Sequence, residues 1–478
     1  MAAKTTLNAK NLESLGAQRL AELLIEISMG SAAHKRRLRM ELAGNHGSAE
    51  VAREVRKRLS SIARARTVIN WHKVKALKSD LETQRKTIAE TLAAADPQEA
   101  FELMWQFLAL ANPIFERSSD SSGSLIESFH QACEDAAAIA ASAKIASDVL
   151  ADKVFKAVQD DGYGQYDKLI AAMAPALGKD GLDRLKALFV QWSKEPKDKP
   201  AKGRREIIGW GSAGPLYEDE IYGTQRDLMV RIALQEIADA EGDVDAYIAQ
   251  HPEKMRRMPM TAADIANRLV SAGRAEEALA ALNKVDATDQ AGMPFEWQLA
   301  RVETLEALGR REEAQTYRWT CFEQSLHDQH LRAFLKRLPD FDDLEAEEKA
   351  FAYAQAFPDV HQALTFFLNW PAPAEASKLV LRRKAELDGN LYELMPAAAE
   401  ALAEKHPLAA TILLRSVIDF ALDSGRSSRY KHAARHLADC ASLAPHINDF
   451  GDTRSHDVYV AELKGRHGKR HGFWSLVT

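Results

Sequence analysis

The sequence predicts an all-α fold, an α-solenoid of antiparallel helical hairpins. Three observations carry that expectation. Apolar residues recur at helical spacing along nearly the whole chain. Helix start and stop signals punctuate those stripes at intervals of about 12 to 25 residues. A glycine-centred stretch repeats after residue 225 at the spacing of a helical hairpin.

The stripes come first. Leu20, Leu23, Leu24 and Ile27 fall at i, i+3, i+4 and i+7, and so do Phe101, Met104, Trp105 and Leu108. Leu182, Leu185, Leu188 and Phe189 form a third set. Each set lines one face of a helix. Alternation of β-branched residues is hard to find over more than four positions. About one residue in six is alanine, the strongest helix former, small enough to let helices approach closely.

The punctuation agrees. Asp96-Pro97-Gln98-Glu99 reads as a helix start, with Asp96 as N-cap, Pro97 at the first helical position and Glu99 closing a capping box. Gly30, Gly44, Gly178 and Gly273 lie where stripes end. Phe357-Pro358 and His406-Pro407 each precede a new stripe.

One segment breaks the pattern. Glu195 to Gln225 holds three prolines and five glycines with little helical periodicity. It is expected to be a linker or long loop, ordered in part because Ile207, Ile208, Trp210 and Tyr217 are costly to leave in water. The expected organisation is therefore an N-terminal helical region over 1–194, the linker over 195–225 and a helical-repeat region over 226–478.

The repeat rests on Ala272-Gly273-Arg274-Ala275-Glu276-Glu277-Ala278, which returns 36 residues later as Leu308-Gly309-Arg310-Arg311-Glu312-Glu313-Ala314. Ser424-Gly425-Arg426 before Tyr430 is a looser third copy. A glycine ending one helix and an alanine five residues on, inside the next, resembles the tetratricopeptide repeat. The rest of that signature is mostly missing, and the offset is two residues longer than its period.

Composition narrows the function classes. The net charge of −6 gives no global attraction to nucleic acid or an anionic membrane. Cys133, Cys321 and Cys440 lie far apart with no CxxC pair, as reduced thiols in a cytoplasmic protein would. No signal-peptide core and no apolar run of membrane-spanning length occurs. A soluble cytoplasmic protein is expected.

Charge is uneven, however. Lys35 to Lys86 carries 15 basic and five acidic residues, so the remainder is strongly acidic. Lys35, Arg36, Arg37, Arg53, Arg56, Lys57, Arg58, Arg64, Arg66 and Lys73 are the candidate polyanion-binding residues, since a cationic helix face can follow phosphates. The plainer account is a solvated face, or one that pairs with the acidic surface of the same chain. Trp71 is the segment's single aromatic residue, which disfavours reading of unstacked bases.

Other constellations are thinner. Gly209-Trp210-Gly211-Ser212-Ala213-Gly214 has G-x-G-x-x-G spacing, but Pro215 follows at once and Ile207-Ile208 is too short to count as a strand. His432, His436 and Cys440 lie at i, i+4 and i+8. The two histidines could chelate a metal, while the cysteine drifts around the helix, so no metal is expected. Cys321, His327 and His330 form a weaker cluster. The loop residues Arg117, Asp120, Ser121 and Ser122 are ligand candidates, although Ser and Asp are also ordinary turn residues. No cofactor motif and no nucleophile elbow occurs.

The chain resembles an uncharacterised proteobacterial helical family, a domain of unknown function. The likeness covers nearly its whole length. It rests on Leu12-Glu13-Ser14-Leu15-Gly16, Lys35-Arg36-Arg37-Leu38-Arg39, Phe115-Glu116-Arg117, Asp120-Ser121-Ser122-Gly123 and the closing His467-Gly468-Lys469-Arg470 with Phe473-Trp474. That closing segment is loosely similar to the helical tail of some SWIM zinc-finger proteins, whose close-set cysteines this chain lacks. The resemblance implies a bacterial, cytoplasmic, all-helical protein and no activity, cofactor or catalytic residue. A non-enzymatic interaction or scaffold protein with a protein or peptide partner is the leading expectation. Nucleic-acid or other polyanion binding through 35–86 is the alternative.

Overall fold

A computed structural model describes residues 6–118, 123–195, 207–211, 214–217, 225–285 and 292–477. The named elements among the described residues are helices except for one short hairpin, in keeping with an all-α reading. The chain divides into two compact units, Met1–Pro252 and Glu253–Thr478.

The first unit begins with α1 (Ala9–Glu13), α2 (Ala17–Ser28), α3 (Ala32–His46), α4 (Ser48–Arg64) and α5 (Trp71–Lys86). Helix α2 forms where its stripe lies, yet Leu24 and Ile27 stay 48% and 64% exposed. No further helix among the described residues covers that face. Helix α3 runs through Gly44 to His46, so that glycine is not the stop its position suggests. The axis of α5 continues into a π-helical stretch, Thr87–Leu92, whose Ile88 and Leu92 are fully buried, and then into α6 (Ala93–Ala95).

Next come α7 (Pro97–Leu108), α8 (Ala111–Phe115), α9 (Ser124–Ala143), α10 (Ser147–Gln159) and α11 (Leu169–Lys194). Asp96 caps α7 by accepting the Glu99 N–H at 3.1 Å, with Pro97 at the first position. The capping box does not close, because the Glu99 carboxylate turns to Arg56 instead. Helix α9 lies at the centre. Phe129, Ala132, Cys133, Ala136 and Ala140 form a face of mostly small residues that packs against α7, α11 and α5.

Strands β1 (Ile207–Gly211) and β2 (Gly214–Tyr217) pair antiparallel. This corrects the reading of Ile207-Ile208 as too short for a strand: pairing with Gly214–Tyr217 completes it. The glycine fingerprint thus falls on paired strands, Gly209 and Gly211 on β1 and Gly214 on β2, where a dinucleotide site would need its last glycine to open a helix. Helices α12 (Gln225–Glu241) and α13 (Val244–Ala249) finish the unit. Helix α12 packs on α11, so helices on both sides of the expected linker share one core, and the unit boundary falls at 252 rather than 225.

The second unit opens with α14 (Glu253–Arg256), α15 (Pro259–Ser271), α16 (Ala275–Asn283), α17 (Phe295–Ala307) and α18 (Arg311–Ser325). Here the repeat has a physical counterpart. Gly273 and Gly309 take φ of +74° and +72°, the left-handed conformation a side chain would resist. Arg274 N–H donates to Leu269 O at 2.8 Å, and Arg310 N–H to Leu305 O at 2.9 Å, the same Schellman closure twice. Each arginine then pairs with the glutamate three residues on. Ala278 and Ala314 are fully buried. Gly425 ends a later helix in the same way, with Arg426 N–H on Ala421 O at 2.9 Å.

Ala314 sits with Leu279 and Leu305, where the two hairpins meet. Ala314→Leu forces three further carbons into that packed space and is expected to cost about 1–3 kcal/mol. Urea unfolding of the purified variant measures the shift in midpoint.

The remaining helices are α19 (Asp328–Leu335), α20 (Asp342–Gln355), α21 (Val360–Asn369), α22 (Pro373–Arg382), α23 (Leu394–Leu402), α24 (Pro407–Asp423), α25 (Tyr430–Leu443), α26 (His456–His467) and α27 (His471–Trp474). Asp359 caps α21 through the His361 and Gln362 N–H groups at 2.8 and 3.2 Å. Helix α24 is the most enclosed, with Leu413, Ile418 and Leu422 fully buried between α23 and α25. The basic C-terminal end belongs to this core. Phe473 is fully buried and meets Tyr430 edge-on at 6.0 Å, and Arg466 pairs with Asp419 at 2.8 Å.

Candidate functional site

The basic segment folds as α3, α4 and α5, and its charges meet carboxylates the sequence does not advertise. Asp80 on α5 is the focus. It accepts from Arg58 Nε at 2.9 Å and from a second Arg58 nitrogen, and Arg36 stands at 3.4 Å. Arg56 pairs with Glu99, Arg53 with Glu50 at 2.6 Å and Lys57 with Glu54 at 3.7 Å. Arg64 donates to the carbonyl of Ser60 at 3.1 Å. Lys35, Arg37, Arg39, Arg66 and Lys73 are exposed, and none has an ion pair among the described residues. Half of the candidate cations are thus partly neutralised by their own chain.

Two open cavities lie beside this cluster, the larger one lined by Asp80 itself and the smaller by its partners Arg36 and Arg58. A cavity of about 660 Å³ runs along α3, α5 and the π-helical turn, between His34, Arg37, Ser79, Thr83, Thr87 and Thr91. A smaller one of about 150 Å³ lies among Arg36, Arg39, Glu54, Lys57, Arg58 and Ser61. Arg36 and Gln84 line both. Gln84 is 2% exposed, and its Oε1 has no hydrogen-bond partner among the described residues.

The other sequence candidates separate. Arg117 donates to the carbonyls of Pro113, Thr67 and Ile62 at 2.9, 3.1 and 3.3 Å, and so fastens the end of α4 to α8. Asp120, Ser121 and Ser122 lie outside the described residues. His432 is exposed while His436 is buried, its Nδ1 3.4 Å from Asp439. The Cys440 thiol is directed at the Thr411 carbonyl, and burial pushes it up to about 12. Among the described residues, no three His, Cys, Asp or Glu side chains are placed to hold a metal ion. His330 is a core group: it is buried, 2.6 Å from Gln298 Oε1, and burial lowers it to about 4.

One feature was not legible in the sequence. A cavity of about 210 Å³ opens between α12 and the turn after α10, with Tyr166, Ile170 and Ile232 as walls and Asp161, Asp167 and Glu236 as its acids. Asp161 is occupied in the turn, where its Oδ1 accepts the N–H groups of Tyr163, Gly164 and Gln165. Glu236 is pushed up to about 8 by burial and then by Asp167 and Asp239. The carboxylates come from distant stretches of chain, so no local spacing announces them.

A family described as "Family of unknown function (DUF6880)" matches residues 2–476. The chain belongs to this family. The match spans both compact units, so family membership covers the basic helices and the repeated hairpins alike. No curated protein matches the chain. No helix among the described residues is long and apolar enough to cross a membrane.

Proposed function

We propose that this DUF6880 member is a non-enzymatic interaction protein whose second unit offers a surface of stacked helical hairpins to a protein or peptide segment. The recurrence of one hairpin carries the reading. α15–α16 and α17–α18 share the glycine closure, the arginine–glutamate pair and the buried alanine. Helix α15 packs on both its own partner α16 and the equivalent helix α17, the nearest-neighbour stacking of a tetratricopeptide-like solenoid. Such arrays present an extended face to a partner. A reducing, cytoplasmic setting suits the three buried thiols.

Polyanion binding along 35–86 has less support than the charge count suggests. Arg36, Arg53, Arg56, Lys57 and Arg58 already meet carboxylates, which leaves fewer cations for phosphates.

Affinity capture from the native cytoplasm tests the interaction reading. One discrete partner is expected at near-stoichiometric yield. Asp264→Arg with Asn267→Arg, both on the exposed side of α15, should reduce its recovery at least tenfold while leaving the melting curve in place. Repeated recovery of the bait alone would overturn the reading.

A further inference from the structure

We propose that the paired cavities that share Arg36 and Gln84 form a site for a small polyhydroxylated phosphate monoester, such as a sugar phosphate. The phosphate would sit in the 150 Å³ cavity and the hydroxylated part in the 660 Å³ cavity beside it.

The first argument is charge placed in advance. Arg36, Arg39, Lys57 and Arg58 surround the small cavity, and Glu54 and Asp80 are the acids beside them. Four cations against two carboxylates leave a local surplus in a space suited to one tetrahedral anion. Asp80 is nearly enclosed and holds Arg58 through two nitrogens, with Arg36 beside it. Two guanidiniums are therefore ordered before any ligand arrives, which lowers the entropic cost of binding. Their N–H groups outnumber the bonds Asp80 can accept. Arg39 has no ion pair among the described residues.

The second argument is Gln84. A buried amide oxygen without a donor is costly and uncommon in a folded protein. Gln84 lines both cavities, and its Oε1 lacks a partner among the described residues. That oxygen is shielded in the ligand-free fold, so a small turn of the amide would bring it to a hydroxyl or N–H donor next to the anion. Bare phosphate at neutral pH supplies that poorly, whereas a sugar phosphate supplies it well.

The third argument is the wall of the larger cavity. Ser79, Thr83, Thr87 and Thr91 bring hydroxyls from α5 and its π-helical turn, a backbone irregularity often found at functional sites. No Phe, Tyr or Trp is among the lining residues. The imidazole of His34 is the one ring in that lining, so a nucleobase would lack the Phe, Tyr or Trp platform on which bases ordinarily stack. The lining instead matches a ligand rich in hydroxyl groups, and the volume falls in the ordinary range for small-molecule sites.

Calorimetry on the full chain tests the site with glucose 6-phosphate, glucose, inorganic phosphate and a single-stranded RNA oligonucleotide. Glucose 6-phosphate is expected to bind one to one, at least tenfold tighter than inorganic phosphate, and glucose to give no heat. Arg39→Gln and Lys57→Gln, both at exposed positions, should each weaken glucose 6-phosphate at least tenfold without moving the melting curve. Gln84→Met should weaken glucose 6-phosphate several-fold and leave inorganic phosphate unchanged. Three results would overturn the proposal: no heat with glucose 6-phosphate at millimolar concentration, binding indifferent to Arg39→Gln and Lys57→Gln, or tighter binding of the RNA that those two substitutions abolish.

Discussion

Gly389→Ala is expected to cost the second unit about 3 kcal/mol or more. The reason is space. A Cβ at 389 would stand 1.9 Å from the Ser416 carbonyl oxygen, 2.5 Å from its carbon and 2.8 Å from Phe420 Cβ. Two of those atoms are backbone, in the middle of α24. That helix cannot yield easily, because Leu413, Val417 and Ile418 hold it in the core on either side of Ser416. The loop carrying Gly389 is held as well. Asp388 N–H donates to His361 Nε2 at 2.9 Å, and Arg429 donates to Asn390 at 3.0 Å. Either the loop leaves these partners or α24 shifts within a packed core. Denaturant unfolding followed by tryptophan fluorescence reads the loss, since Trp297, Trp319, Trp370 and Trp474 all lie in this unit. Gly465→Ala is the internal control. Position 465 lies inside α26 with open space around it, so the same change there should stabilise by about 0.5–1 kcal/mol. Equal effects at 389 and 465 would refute the steric argument.

Gly389 also shows what a sequence leaves unsaid. Its constraint comes from Ser416, 27 residues further along the chain, and nothing in its neighbours predicts it. Local chemistry was legible because it is local. Asp96-Pro97 starts α7, and the glycine-to-alanine spacing marks two hairpins, since caps and turns act within a few residues. The half of the capping box that failed did so through Arg56, a residue from another helix. The same holds for the basic segment. Its charge was plain, but whether a given arginine is free depends on Asp80, Glu99 and their placement by the fold. A break in composition at 195–225 was also plain. That α11 and α12 return to share one core across it was not, because packing partners leave no mark on either side of a loop. At the C-terminus, the cluster of basic residues concealed a core helix anchored by Phe473.

Glu236→Gln is expected to stabilise the first unit by a few kcal/mol above pH 8 and by almost nothing near pH 4.5. Burial holds the native carboxyl up at about 8, against an ordinary value of 4.5 in the unfolded chain. Between those values the native state keeps a proton that the unfolded state has lost. Unfolding then releases a proton, so stability falls as pH rises, by up to about 1.4 kcal/mol per pH unit. The stabilising contribution is complete below the unfolded value and gone above the native one. Asp167 faces the same cavity and is itself raised by burial, so ionising either carboxyl makes ionising the other harder. Asp161 adds to that repulsion on Asp167, and His130 opposes it. Glutamine keeps the shape and cannot ionise, so the Glu236→Gln variant should lose most of the slope. Urea midpoints from pH 5 to 9 decide the matter, with Trp105 and Trp192 reporting on this unit. Curves that converge at the acid end and separate at the alkaline end are expected. Parallel curves would mean that Glu236 ionises as freely in the fold as outside it, and that its enclosure beside Asp167 is not felt as charge.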